Sequence, residues 1–118
     1  MTDAYPLPDR LEAYERLVAT VPGLERKGAK MPYTSVAGHM SSFLAEDGTL
    51  ALRLAAADRE RFMEEHGAVL HQAHESVLAQ FVSVPDALAD DVDLLRPWFA
   101  ASHAYVSSLK PKATKRDR

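Results

Sequence analysis

Three histidines lie close together in the second half of the chain. His66, His71 and His74 fall within nine residues, and three glutamates adjoin them. Imidazole nitrogens bind zinc, nickel and copper, and a carboxylate can complete the coordination. These histidines therefore form a candidate metal site. Their spacing matches no established ligand pattern, however, and histidines in a polar surface turn explain the same residues.

A second group with chemical potential lies between Lys30 and His39. Lys30, Tyr33, Ser35 and His39 bring an ammonium group, two hydroxyl groups and an imidazole into ten residues. A serine and a histidine can act as a nucleophile and its base, but neither a GxSxG elbow nor an orienting carboxylate accompanies this pair. We therefore predict no catalytic residue and no cofactor. The four residues are a candidate pocket for a small ligand or a partner, or simply strand residues with a structural role.

The third group is basic and terminal. Residues 110–118 hold five basic residues and one acid, whereas the preceding 109 residues hold nine basic and sixteen acidic residues, a net charge of −7. Lys110, Lys112, Lys115 and Arg116 are therefore candidate phosphate contacts of a nucleic-acid-binding tail. No aromatic stacking platform accompanies them, and the acidic body argues against a nucleic-acid-binding face. A disordered, solubilising tail fits the same residues.

Length and composition predict one globular domain over residues 1–109, with a frayed start at Met1–Leu7. Hydrophobic residues make up 47% of the 118 residues and charged residues 26%, and cysteine is absent. Without cysteine, a disulfide scaffold, a thiol nucleophile and Cys-ligated zinc are excluded. The pattern of a signal peptide is missing, as is any apolar run of about 20 residues. We therefore expect a cytoplasmic protein with no membrane partner.

Two segments carry apolar residues at helical spacing before residue 70. The first begins at Asp9, which with Glu12 has the spacing of a capping box, and is expected to end at Pro22. In the second, Asp58 is predicted to cap a short helix that ends at Gly67.

The last helix is predicted to reach about Leu109. Four acids between Asp86 and Asp93 favour a helix N-terminus. Pro97 lies either near the start of this helix or at a kink. Trp98 on its apolar face belongs to the core or to a dimer interface.

Between these helices the pattern changes to period two. It predicts strands at Tyr33–Val36, His39–Leu44, Leu50–Leu54 and Val77–Val84, with Val69–His74 ambiguous. Hairpin-linked strands favour an antiparallel sheet, so the prediction is an α+β fold. Its small meandering sheet of about four or five strands is flanked by N-terminal, middle and long C-terminal helices.

Several blocks are similar to one known family. GHMSSFLAEDGTLALRL, RFMEEHG and VLAQFVSVPDAL, together with the KMPYTS block and the SLKPKATK ending, resemble the N-terminal domain of the TfoX/Sxy family, especially its short stand-alone members. The resemblance covers about Lys27 to Lys115. It implies a small antiparallel sheet flanked by helices, akin to YjbR-like folds, and no catalytic residues. Founding members are linked to competence regulation, a role tied to a second, C-terminal domain.

The expected function is a non-enzymatic interaction or regulatory module that acts by protein–protein contact. A homodimer through a sheet edge or the last helix is a further expectation. The alternative is a small-ligand or metal-binding domain that uses the Tyr33–His39 region or the histidine cluster. A weaker alternative is a nucleic-acid-associated regulator that works through the basic tail.

Overall fold

The computed structural model describes residues 5–28, 31–73 and 76–109. It contains three α-helices and five β-strands within these ranges. The helices are α1 (Pro8–Val18), α2 (Ala56–His66) and α3 (Val92–Ser107), and the strands are β1 (Tyr33–Val36), β2 (His39–Leu44), β3 (Leu50–Arg53), β4 (Val69–Ala73) and β5 (Ser76–Val84). A single 3₁₀ turn, Asp86–Leu88, leads from β5 towards α3.

The strands form one antiparallel sheet in the order β1-β2-β3-β5-β4. Strands β1 to β3 are a meander joined by tight turns. The chain then crosses through α2, and β5 rather than β4 pairs with β3, so β4 becomes an edge strand. The predicted α+β fold with an antiparallel sheet and three helices is thus confirmed.

One face of the sheet carries the hydrophobic core. Leu50 and Leu52 of β3 face the same way as Val82 and Val84 of β5, because the register pairs Leu50 with Val84 and Leu52 with Val82. These four side chains are at most 2% exposed. Tyr14 and Leu17 of α1, Phe62 of α2, and Leu95, Trp98 and Phe99 of α3 join the same core. We call this side of the sheet the helix face.

The helices begin differently from the sequence prediction. α1 begins at Pro8 with Leu7 as its N-cap, and α2 begins at Ala56 with Ala55 as its N-cap; neither cap residue makes a side-chain cap hydrogen bond. The predicted caps Asp9 and Asp58 therefore lie inside the first turns, where a carboxylate interacts favourably with the helix dipole. Proline in the first turn loses no intrahelical hydrogen bond, so Pro8 starts α1 without a polar cap.

The last helix begins five residues before Pro97, which excludes a start at this proline. Asp91 is its N-cap and accepts a hydrogen bond from the Leu94 amide at 3.1 Å. Trp98 is 8% exposed and its ring meets that of Phe62 at 5.0 Å, so it belongs to the core.

The expectation of a fully frayed start is wrong for Tyr5, which is 5% exposed and donates its hydroxyl to the Ala45 carbonyl. A buried aromatic ring with a satisfied hydroxyl ties this segment to the turn that follows β2. None of the helices in the described part of the chain is long and apolar enough to cross a membrane.

Candidate functional site

The second face of the sheet carries a row of aromatic side chains. Phe43 of β2 is opposite Ala51 of β3, and Ala51 is opposite Ser83 of β5. Because Ala51 and Ser83 are small, the ring of Phe43 reaches across them to His71 on β4, with ring centroids 5.0 Å apart in an edge-on arrangement. Phe81 of β5 also lies close to Phe43, with ring centroids 5.4 Å apart. We call this the aromatic face.

His71 is the central polar group of this face. It is 7% exposed, and its Nδ1 lies 2.9 Å from the Ser83 hydroxyl. Burial lowers the pKa of His71 below its usual value, and the charge of Asp47 opposes that shift. The imidazole is therefore neutral at pH 7. The sequence indicated His71 but not Ser83, since the two residues are twelve apart and meet only through the pairing of β4 with β5.

Asp47 belongs to the turn between β2 and β3. Its carboxylate accepts a hydrogen bond from the Thr49 amide at 2.9 Å. Hydrogen bonds from Thr49 hold the pKa of Asp47 below its usual range, so the carboxylate is ionised at neutral pH. Gly48, with φ of 94°, supplies the left-handed conformation that this turn needs.

A cleft of about 720 Å³ lies beside these residues. Its polar lining includes Asp47, Thr49, His71 and Ser83, and its apolar lining includes Met63, Val69, Leu70 and Val77. Among the described lining residues, Asp47 alone carries a formal charge at neutral pH. The volume falls within the range of roughly 300 to 1,000 Å³ that is usual for ligand pockets.

The cleft borders the outer edge of β4. This strand, Val-Leu-His-Gln-Ala, contains no lysine, arginine, aspartate or glutamate. Val69 is 65% exposed, and Val77, on the paired strand β5, is 50% exposed. Edge strands usually carry charges or proline that discourage pairing with another chain, and β4 has neither.

The three candidate metal ligands do not form a recognisable site in the described part of the chain. His66 ends α2 and packs against the rings of Phe62 at 4.9 Å and Trp98 at 6.1 Å. His71 instead faces Phe43 across the sheet, and His74 lies outside the described residues. Among the described residues, no group of three or more His, Asp or Glu side chains is placed to hold a metal ion.

The candidate pocket around Tyr33 is divided between the two faces. Ser35 is opposite Met40 and His39 is opposite Val36, so Ser35 and His39 leave the hairpin on opposite sides. Tyr33 shares the face of Ser35, and the nearby ammonium group is that of Lys27, 3.5 Å from the Ser35 hydroxyl. Lys30 lies outside the described residues, as do Lys110, Lys112, Lys115 and Arg116 of the predicted nucleic-acid tail.

Other hydroxyl groups of the same block form a buried network that the sequence reasoning missed. Thr34 lies 2.6 Å from the Ser42 hydroxyl and 2.7 Å from that of Ser41, and Tyr14 of α1 lies 2.6 Å from Ser42. A β-bulge turns both serines towards Thr34. Ser102 of α3 donates to the Ser41 carbonyl at 3.0 Å. The network joins two helices to two strands, so these hydroxyls hold the fold together.

Comparisons with protein families, with characterised proteins and with solved structures find no match for this chain.

Proposed function

We propose that this protein is a non-enzymatic interaction domain of the TfoX N-terminal-domain-like class. It binds an extended segment of a partner protein along the outer edge of β4. The resemblance in sequence motivates the class, and the unpaired edge of β4 carries the proposed mode of binding.

The two edges of the sheet differ in a way that favours β4. At the β1 edge, the backbone groups of Tyr33 are already satisfied, because its N–H and C=O both bond to Lys27 at 2.8 Å. Pro32 precedes this strand and has no N–H to offer. Within the described residues, β4 pairs on one side only, with β5. An added strand would find free backbone groups on β4.

The cleft beside β4 suits this mode of recognition. In strand addition, main-chain hydrogen bonds supply affinity, and pockets for alternate side chains supply specificity. Val69 and Val77 offer apolar contact at the entrance to the cleft, and His71 and Ser83 lie farther in. The neutral His71 costs less to cover than a charged side chain, since covering a charge carries a large desolvation penalty.

The polar groups of the described residues support binding rather than catalysis. Ser83 and His71 are within hydrogen-bonding distance, as a nucleophile and its base would be. The ring of His71, however, is packed edge-on against Phe43. The hydroxyls of Thr34 and Ser42 are fully buried and bonded to each other.

The proposal is tested with a phage-displayed library of random heptapeptides selected on the immobilised protein. Val69→Lys places a charge on the β4 edge at a position that is 65% exposed. Met31→Lys is the matched control, because Met31 is also an exposed apolar residue, 44% exposed, but precedes the opposite edge strand β1. We expect selected peptides to lose about tenfold or more in affinity for Val69→Lys, because a lysine on an edge opposes pairing, and to bind Met31→Lys as they bind the unaltered protein.

Peptides that bind Val69→Lys and the unaltered protein equally would refute binding at β4, as would a selection that enriches nothing. Native mass spectrometry tests whether a second copy of the chain, rather than a peptide, occupies this edge. A monomer that takes up one peptide agrees with the proposal. A dimer that Val69→Lys dissociates would mean that a second copy of the chain occupies this edge, and the peptide partner would be rejected.

A further inference from the structure

We infer that the partner segment carries a lysine or arginine side chain that enters the cleft and pairs with Asp47. This inference rests on the proposed function and names the chemistry of its partner. Its first basis is the charge of the cleft, whose described lining combines one carboxylate with neutral polar and apolar groups.

Asp47 is prepared to receive a cation. Thr49 holds the carboxylate through its amide at 2.9 Å. A carboxylate has about four acceptor positions, so this contact leaves capacity for a further donor. Arg10, which reaches the same turn from α1, donates to the Gly48 carbonyl at 3.4 Å and lies 3.6 Å from the Asp86 carboxylate. The charge of Arg10 is thus directed towards Asp86.

The walls of the cleft suit the stem of a basic side chain. Met63, Val69, Leu70 and Val77 provide apolar surface in the same cleft as the carboxylate. Lysine and arginine bury their aliphatic stems along such surface while the charged end keeps a polar partner. In an extended segment, residues two apart share a face. The expected segment therefore has a basic residue with an apolar residue two positions away.

The charge of the whole domain acts in the same direction. Residues 1–109 carry a net charge of −7. Such a body repels an acidic segment and favours the approach of a basic one at low and moderate ionic strength.

The library described above also tests this inference. We expect enrichment of lysine or arginine at one position, and about three- to fivefold weaker binding of those peptides to Asp47→Asn, because the ion pair with this exposed carboxylate is lost. Asparagine keeps an oxygen for the Thr49 amide, so the turn is preserved. Glu46→Gln is the matched control, since it removes an equal charge from the neighbouring exposed residue of the same turn. The affinity of Glu46→Gln for the same peptides should change less than twofold.

A second measurement changes the peptide instead of the protein and compares its binding to the unaltered protein and to Asp47→Asn. Replacing the enriched lysine by norleucine keeps the stem and removes the charge, and should weaken binding about three- to fivefold to the unaltered protein but little to Asp47→Asn. Selected peptides could lose affinity for Val69→Lys, yet lack a basic residue and bind Asp47→Asn as they bind the unaltered protein. That result would overturn this inference and leave the proposed function standing. Peptides insensitive to Val69→Lys would overturn both.

Discussion

Removing one hydroxyl group tests whether the buried network of Tyr14, Thr34, Ser41 and Ser42 stabilises the fold. Tyr14→Phe keeps the ring that packs in the core and deletes the hydroxyl that lies 2.6 Å from Ser42. Ser42 retains Thr34 as a partner at 2.6 Å, so the loss is that of one buried hydrogen bond. We expect the free energy of unfolding at pH 7 to fall by about 1 kcal/mol. For a domain of this size, that lowers the Tm by about 4 °C.

The same substitution changes the response to alkali. Burial raises the pKa of Tyr14 to about 12, against an ordinary value of 10.0. Because the folded pKa is the higher one, the stability that Tyr14 contributes is complete below pH 10 and is lost as the pH rises towards 12. The loss amounts to about 1 kcal/mol by pH 11. Phenylalanine does not titrate, so the variant escapes this loss and should approach the stability of the unaltered protein near pH 11.

The assay is urea denaturation followed by circular dichroism at pH 7, 9, 10 and 11. Tyr105→Phe, at a half-buried position of α3 outside the hydroxyl network, is the control. Two parallel curves of stability against pH for Tyr14→Phe and the unaltered protein would refute the reasoning. They would mean that the Tyr14 hydroxyl is accessible to solvent and is not kept buried by the network.

Two further predictions concern acid and backbone conformation. Burial lowers the pKa of His71, so the stability that this residue contributes is complete above the ordinary value of 6.5 and is lost as the pH falls towards the folded pKa. In urea denaturation, His71→Asn should therefore lose less stability than the unaltered protein between pH 7 and pH 5. An equal loss in the two proteins would contradict the burial of the imidazole. Gly23 and Gly28 share a φ of 82°, but an added Cβ meets nothing within 4 Å at Gly23 and lies 2.5 Å from the Met31 carbonyl oxygen at Gly28. Both alanine variants should carry a backbone penalty of about 1 to 2 kcal/mol, and Gly28→Ala should lose about 1 to 3 kcal/mol more; equal Tm values would show that the close approach at Gly28 is not rigid.

The strands were the most predictable elements because their signals are local. Leu50 and Leu52 alternate with Ala51 and Arg53, and this period of two is sufficient to assign a strand and the face that its leucines share. It did not predict that Ala51, on the other face, is also fully buried. The bounds of β1 and β2 were predicted as they occur, since the turn at Ala37-Gly38 separates them. Both turn residues have positive φ, 51° and 88°, and a short turn of this kind sets the register of a hairpin.

The helix starts were less predictable, because a polar residue before an apolar stripe is only one way to begin a helix. Asp58 had the right type for a cap, yet α2 begins two residues earlier, at Ala56. The hydrophobic contacts of Phe62 with the core hold this helix in place, and they do not require a side-chain cap. Propensities at helix ends are small beside such burial.

The candidate site depended on long-range pairing. Patterns within the chain were enough to predict an α+β domain, its strands and the acidic charge of its body, since each depends on neighbouring residues or on composition alone. Tertiary structure decided that β5 lies beside β3 and leaves β4 at the edge, that Ser83 meets His71, and that Asp47 lines the same cleft. These outcomes follow from the packing of all strands and helices around one core. No short stretch of sequence contains that information, because several strand orders satisfy the same alternation of buried and exposed residues.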